Sequence, residues 1–233
     1  MIRALLTIDD ITSRNTPAIV DYLNKKGITA IMFAVGEKLD RLPDEAAYAL
    51  SHGMVVGNHS DTHPHFSAIS LAEGISEIER CEEKLDRLYD RCRVERKWRP
   101  FRFPYGDKGG GNKDALQKWL RDRGFSKVKD TDIPYPWWRD TGRDRELDTL
   151  WTFDFTEYRI RPGSGYTMDD VLKRVHDPQP ETGAPLLQDN GRHILLLHAH
   201  DETEEMAPGY YRTLIDLLTD RGVEFIEPEF IRL

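Results

Sequence analysis

Short apolar runs alternate with amphipathic segments along almost the whole chain. A short apolar run bounded by turn residues is typical of a buried strand, and apolar residues three or four apart are typical of a helix. Strands are predicted at 2–8, 28–35, 54–56, 101–103, 125–128, 149–155, 193–198 and 223–226. Helices are predicted at 17–26, 43–52, 71–91, 113–123, 168–176 and 210–221.

The order of these elements predicts an α/β fold. Strands that alternate with helices form parallel sheets with the helices outside, and seven to eight such units favour closure into a barrel. We therefore expect a distorted (β/α) barrel of seven to eight parallel strands with outer helices. No linker, repeat or low-complexity tract interrupts the pattern, so residues 1–233 are predicted to form a single domain.

Composition narrows the class of partner and the compartment. The net charge of −8 argues against broad nucleic-acid binding. No apolar run reaches the about 18 residues that a membrane span needs. The apolar start runs into Asp9 and Asp10 without a cleavage site, which predicts a cytoplasmic protein, or a secreted or periplasmic one if a leader was removed. Cys81 and Cys92, eleven apart in or near one predicted helix, are expected to be free thiols.

Polar side chains cluster where the predicted strands end. In a (β/α) barrel the carboxyl ends of the strands converge on one face, where active sites are built. Five separate segments would therefore bring carboxylates, imidazoles and a guanidinium to one place. The residues in question are Asp9, Asp10, Asn58, His59, His63, Arg102, Tyr105, Asp154 and His198.

Two histidines and one aspartate suggest a catalytic metal site. His59 and His63 are four residues apart, and on a helical turn that spacing places both imidazoles on one face. Together with one Asp they would form a facial triad with coordination positions left open. Asp9 and Asp10 would point to opposite sides of a strand, so that one can bind metal while the other acts as a base.

Two further residues have competing interpretations. Arg102 either pairs with any buried carboxylate, or orients Asp9 and keeps it ionised. His198 ends an almost uninterrupted apolar strand, where a lone His is often a core residue. His200 lies two positions on, on the same face, and is a rival for any role of His198.

Four segments, in this order, resemble the motifs of the polysaccharide deacetylases, carbohydrate esterase family 4. TIDD at 7–10 is similar to the family's first motif, TFDD, and NHSDTH at 58–63 to the second, His-Ser/Thr-x-x-His. RFPY at 102–105 resembles the third, Arg-x-Pro-Tyr, and LLLH at 195–198 the Leu-rich strand that ends in His. The resemblance implies that 1–233 is one deacetylase-like catalytic domain.

The resemblance implies a role for each matching position. Asp9 would be the general base, Arg102 would orient it, and His198 would be the general acid. The amide of Tyr105 would help to hold the oxyanion, and Tyr105 would also contact substrate. The implied ligands of a divalent metal, zinc first with cobalt, nickel or manganese as alternatives, are Asp10, His59 and His63.

The fourth family motif departs from the pattern. In WTFDFTEY at 151–158, Glu157 stands where the family has the Asp that supports the catalytic His. Other acids that could support His198 are Asp154, Asp130 and Asp132. Trp137 and Trp138, in the irregular insert 130–148, would either stack sugar rings as a substrate-binding lip or simply pack.

The expected activity is metal-dependent hydrolysis of N-acetyl, or O-acetyl, groups on an amino-sugar glycan or oligosaccharide. The partner would be an acetylated carbohydrate rather than nucleic acid, and the oligomeric state is left open. One alternative is a hydrolase of small cyclic amides or imides on the same scaffold. The other is a catalytically silent carbohydrate-binding protein, which the presence of Asp9, His198 and all three ligands disfavours.

Overall fold

A mainly parallel sheet forms the centre of the molecule in the computed structural model, which describes residues 1–231. The last two residues of the predicted 1–233 domain lie outside the described range. Within that range the strands are β1 (Ile2–Ile11), β2 (Ile31–Ala34), β3 (Val55–Asn58), β4 (Lys127–Val128), β5 (Phe153–Asp154), β6 (Arg192–His198), β7 (Val223–Phe225) and β8 (Phe230–Ile231).

Six strands form the main sheet, in the order β3-β2-β1-β6-β5, with β7 paired to the start of β1. Every pair in this sheet is parallel, which confirms the α/β class and the distorted (β/α) barrel. The main sheet contains six parallel strands where seven to eight were expected, because two predicted strands do not join it as strands. Phe101 makes only an isolated bridge to Asn58, and β4 pairs antiparallel with β8.

Nine helices of the described chain surround the sheet. They are α1 (Thr16–Lys26), α2 (Gly36–Arg41), α3 (Pro43–Ser51), α4 (Leu71–Cys92), α5 (Lys113–Asp122), α6 (Pro136–Asp140), α7 (Met168–Val175), α8 (Asp201–Met206) and α9 (Tyr210–Asp220). The longest, α4, begins at a capping box in which Ser70 and Glu73 satisfy each other's backbone amides. No helix of residues 1–231 combines the length and apolar character needed to cross a bilayer. Cys81 and Cys92 are both free thiols.

Register places the candidate residues together. Asp9 in β1 lies opposite His198 in β6, and Ala34 in β2 lies opposite Asn58 in β3. The bridge from Asn58 to Phe101 adds the segment that carries Arg102. The carboxyl ends of these strands therefore meet at one edge of the sheet, as expected for a (β/α) fold.

Two substitutions in α1 measure how much its buried face contributes to the stability of the fold. Leu23 is fully buried against the sheet, whereas Lys25 on the same helix is exposed. Leu23→Ala should lower the free energy of unfolding by about 2–5 kcal/mol, since it removes buried methylenes and leaves a cavity. Alanine is a good helix former, so helix propensity does not obscure the comparison. In urea titrations Lys25→Ala should change stability by less than about 0.5 kcal/mol; an equal loss in both variants would contradict the assigned packing.

Candidate metal centre and active site

Asp10, His59 and His63 bring three donor atoms together at the carboxyl edge of the sheet. His63 Nε2 lies 3.2 Å from Asp10 Oδ1 and 3.3 Å from His59 Nε2, and His59 Nε2 lies 3.8 Å from Asp10 Oδ1. Ligands bound to one ion at about 2.1 Å lie about 3.0–3.4 Å from one another. Among residues 1–231, the predicted ligand set therefore has spacings close to those that a divalent cation requires.

The hydrogen bonds around this triad aim its donor atoms inward. His59 Nδ1 donates to the Arg102 carbonyl oxygen at 2.8 Å, which leaves the Nε2 lone pair free to bind a cation. Asp10 Oδ1 is buried without a hydrogen-bond partner. A buried carboxylate oxygen without a partner is costly, and a cation at this position would satisfy it.

The electrostatics suit metal binding. Burial would raise the pKa of Asp10, but the hydrogen bond from His200 and the charges of Lys38 and the two imidazoles hold it well below its usual value. Burial, helped by His59, lowers the pKa of His63 to about 4. Near neutral pH the site thus offers an ionised carboxylate and a neutral His63, the forms in which these groups bind metal.

The backbone reaches this geometry through left-handed residues. The expected helical turn between His59 and His63 is wrong: these residues form a loop in which Ser60 and His63 have φ of 64° and 60°. The Ser60 hydroxyl accepts a hydrogen bond from the His63 amide at 3.1 Å. From α4, Glu77 accepts hydrogen bonds from the amides that follow Ser60, so a helix side chain also holds the loop.

Asp9 lies beside the triad and pairs with a buried guanidinium. Arg102 Nη1 donates to Asp9 Oδ1 at 2.6 Å, and both side chains are almost fully inaccessible. The other oxygen, Asp9 Oδ2, lies 3.5 Å from His59 Nε2. Asp9 and Asp10 do not diverge as a regular strand requires, because Asp10 has a φ of 62° and turns its carboxylate to the same cleft.

Arg102 is further fixed by neighbours on three segments. Its Nη1 also donates to the Thr7 hydroxyl and its Nε to the Thr149 carbonyl, each at 2.8 Å. The guanidinium stacks over Phe33, with the central carbon 4.5 Å from the ring centre. A guanidinium held on several sides can fix the orientation of the Asp9 carboxylate.

Among the acids that could support His198, Glu157 is the one that forms hydrogen bonds with it. Glu157 is fully buried, and its Oε1 accepts from both His198 Nδ1, at 3.0 Å, and the His198 amide, at 2.6 Å. Asp154 lies within the same group of ligand atoms. Asp130 instead binds Lys127 and Trp138, and Asp132 lies near Arg192.

Burial and the charge of Glu157 shift the pKa values of His198 and Asp154. Burial opposes protonation of His198, but the charge and hydrogen bond of Glu157 outweigh it and raise the pKa of His198 to about 9. Burial, with a smaller contribution from Glu157, raises the pKa of Asp154 to about 6. His198 is therefore a protonated imidazolium near neutral pH and has a proton to donate.

A cavity of about 460 Å³ joins these groups. Tyr105 lines it, with φ of 59°, and stacks its exposed ring on His65 with 4.0 Å between ring centres. Sequence reasoning gave no site role to several other lining residues. These are Trp151, Tyr158, Arg161 and Glu202; His200, which the sequence named only as a rival of His198, also lines the cavity. Trp151 and Tyr158 lie in the fourth-motif segment, so its aromatic positions carried a signal for them.

The aromatic insert lies elsewhere. Neither Trp137 nor Trp138 lines the cavity. Trp138 is buried in an apolar cluster with Ile133 and Tyr135, and its Nε1 donates to Asp130 at 2.9 Å. Trp138 is buried and Trp137 is half-buried against the same cluster, so this structure favours the packing alternative over the substrate-binding lip.

The fold and the donor set together define a distorted (β/α) barrel with a candidate Asp-His-His metal centre. The family model described as polysaccharide deacetylase matches residues 2–126, more than half of the chain. The chain belongs to the polysaccharide deacetylase family. The match includes Asp9, the triad and Arg102, and it ends before Glu157 and His198.

Two bacterial relatives agree with this assignment. The peptidoglycan-N-acetylglucosamine deacetylase of Bacillus cereus is 33% identical over 84 residues, which is 36% of this chain and 30% of that protein. The peptidoglycan-N-acetylmuramic acid deacetylase PdaC of Bacillus subtilis is 27% identical over 180 residues, which is 74% of this chain and 35% of PdaC. The chain thus spans about a third of the length of these relatives.

Solved structures share the fold. A family 4 carbohydrate esterase of Streptococcus mutans has a TM-score of 0.69 at 19% identity, over 96% of this chain and 84% of that one. A family 4 pseudoenzyme from Bacillus anthracis has a TM-score of 0.60 at 19% identity, over 96% and 62%. Because a protein described as a pseudoenzyme has the same fold, activity has to be argued from the site itself.

Proposed function

We propose that the protein is a divalent-metal-dependent hydrolase that removes N-acetyl groups from an amino-sugar glycan or oligosaccharide. One observation carries this proposal: a single cleft holds a candidate cation triad, an Asp–Arg pair and a Glu–His pair. Amide hydrolysis needs an activated water, charge stabilisation and a proton for the departing amine, and these three groups match those needs. We further propose that residues 1–233 form one catalytic domain.

The proposed roles follow from position and protonation state. Asp9, held by Arg102 through Oδ1, removes the proton of the attacking water. His198, protonated under the influence of Glu157, donates a proton to the leaving amine. The backbone amide of Tyr105 donates to the developing oxyanion, and its exposed ring contacts the sugar.

Asp10, His59 and His63 would hold the cation, which we propose to be zinc because two imidazoles and a carboxylate suit it. The chemistry that a bound ion would supply there is polarisation of the acetyl carbonyl and a lower pKa for a water in the cleft. Cobalt, nickel or manganese would fit a similar donor set. Elemental analysis of the purified protein, followed by reloading with single metals, identifies the ion.

Acetate release tests the proposed reaction. N-acetylglucosamine oligomers, acetylated xylan and peptidoglycan should be compared with small cyclic imides, each with and without a chelator. The proposal expects chelator-sensitive acetate release from at least one N-acetylated glycan. Turnover of cyclic imides alone would support the alternative hydrolase. Carbohydrate binding without acetate release, in fully metal-loaded protein, would support the silent binding protein.

Glu157→Gln is expected to move the alkaline limit of activity. The rate depends on protonated His198 and falls as pH rises through its pKa of about 9. The amide keeps a hydrogen-bonding oxygen but removes the charge that raises this pKa, so the alkaline limb of kcat/KM should shift to lower pH. At neutral pH kcat/KM should fall about 10–100-fold. Other titratable groups near His198 are Asp9, Asp10, Asp154, Tyr158 and His200.

The control for this measurement is Asp169→Asn, an exposed acid on α7. It should keep the wild-type pH profile. A Glu157→Gln profile that superimposes on the wild type at every pH would contradict the role given to Glu157.

A further inference from the structure

His200 binds one oxygen of the Asp10 carboxylate. Its Nε2 donates to Asp10 Oδ2 at 2.6 Å, and its side chain is 28% exposed. The residue directly precedes α8, two positions after His198, and none of the family motifs identified in the sequence includes it. It links the segment after β6 to the last residues of β1, which include Asp10.

The two oxygens of Asp10 therefore have different surroundings. Oδ2 is occupied by His200, whereas Oδ1 is buried without a hydrogen-bond partner and faces His63 Nε2 at 3.2 Å. Lys38 Nζ donates to the Asp10 carbonyl at 2.9 Å, so the backbone beneath the carboxylate is also held. Rotation of the carboxylate would break the bond to His200, so this bond selects which oxygen faces the triad.

We infer that His200 is a positioning residue that presents Asp10 Oδ1 alone to the bound cation. This inference rests on the proposed metal centre. A carboxylate restricted to one oxygen uses one coordination position, which leaves more positions for water and substrate. Hydrogen-bond partners of metal ligands typically account for about 10–100-fold in metal affinity.

The same geometry argues against His200 as a fourth ligand. Its Nε2 carries the proton given to Asp10 Oδ2, so that nitrogen has no lone pair for a metal. Among residues 1–231, the cluster of candidate ligand atoms around Asp10 comprises only His59 and His63.

The test compares His200→Ala with His200→Gln in the full chain. Zinc affinity is measured by competition with a chromogenic chelator, and the visible spectrum of the cobalt-loaded protein reports coordination. His200→Ala should weaken zinc binding about 10–100-fold and change the cobalt spectrum, because Asp10 can then rotate. His200→Gln should recover most of the affinity, since its amide nitrogen can donate from nearly the position of Nε2.

His176→Ala is the matched control, because His176 is exposed and lies at the end of α7. It should keep the wild-type zinc affinity and cobalt spectrum. The melting temperatures of the metal-free variants should remain close to the wild type, which separates positioning from a general loss of stability.

The outcomes distinguish the inference from the function on which it rests. If zinc binding depends on His63 but His200→Ala binds as tightly as wild type, the inference fails and the proposed metal centre stands. An equal loss in His200→Ala and His200→Gln would also overturn it, because it would indicate direct ligation. If zinc binding does not depend on His63, the proposed metal centre itself fails.

Discussion

His63→Ala should abolish divalent-metal binding and acetate release together. His63 supplies one of three donor atoms, and its Nε2 is the donor nearest to both other ligands, at 3.2 Å from Asp10 Oδ1 and 3.3 Å from His59 Nε2. Without it, one carboxylate oxygen and one imidazole remain, too few to define a catalytic zinc site of three protein ligands. Zinc affinity should fall by more than about 100-fold, which is more than the loss of a hydrogen-bond partner of a metal ligand typically causes.

The measurement pairs a metal-binding titration with acetate release under the same conditions. Residual activity should equal that of chelator-treated wild type. His65→Ala is the control from the same loop, since its exposed imidazole pairs with Asp107 and is not in the triad; it should keep wild-type metal affinity. If His63→Ala retains a full equivalent of zinc and wild-type turnover, the assigned centre is wrong.

The sequence predicts that the candidate site residues lie close together, because this depends only on the repeated order of strands and helices. Parallel strands joined by helices place their carboxyl ends on one face. Asp9 and His198, far apart in sequence, occur as register partners in β1 and β6. This prediction needs no knowledge of contacts between residues. The alternation of strands and helices already implies that the strands run in the same direction.

The local geometry of the triad could not be predicted in this way. Strand alternation places Asp9 and Asp10 on opposite sides, and only the φ of 62° at Asp10 brings both to the cleft. A left-handed conformation of this kind costs about 1–2 kcal/mol for a non-glycine residue. The contacts that hold it, from Lys38 and His200, come from distant segments, so no local pattern indicates it.

The supporting acid and the aromatic insert show the same limit. Glu157, Asp154 and Asp130 are all acids at or shortly after the ends of predicted strands, and the hydrophobic pattern alone could not rank them. The structure separates them by partner: Asp130 binds the cation of Lys127, and Glu157 binds His198. Tryptophans suit sugar stacking and core packing equally, so the side on which the insert folds decides their role.

Asp9→Asn should remove turnover while leaving the metal bound. The amide is nearly the same size as the carboxylate but cannot take a proton from the attacking water, so acetate release should fall about 10²–10⁴-fold. The ligand atom His59 Nε2 lies 3.5 Å from Asp9 Oδ2, and the substitution removes no ligand. Zinc affinity should therefore stay within a few-fold of wild type, in contrast to His63→Ala.

The same substitution has a separate effect on stability. Arg102 is fully buried and would lose the charge that balances it; breaking a buried pair of this kind costs up to about 3–5 kcal/mol. The Asn oxygen still accepts from Arg102, so the loss should lie below that bound, and urea titration should be run beside the assays. Asp114→Asn, an exposed change on α5, should leave activity and stability unchanged. Because folded, zinc-loaded Asp9→Asn separates proton transfer from metal binding, wild-type acetate release by this variant would show that another group is the base.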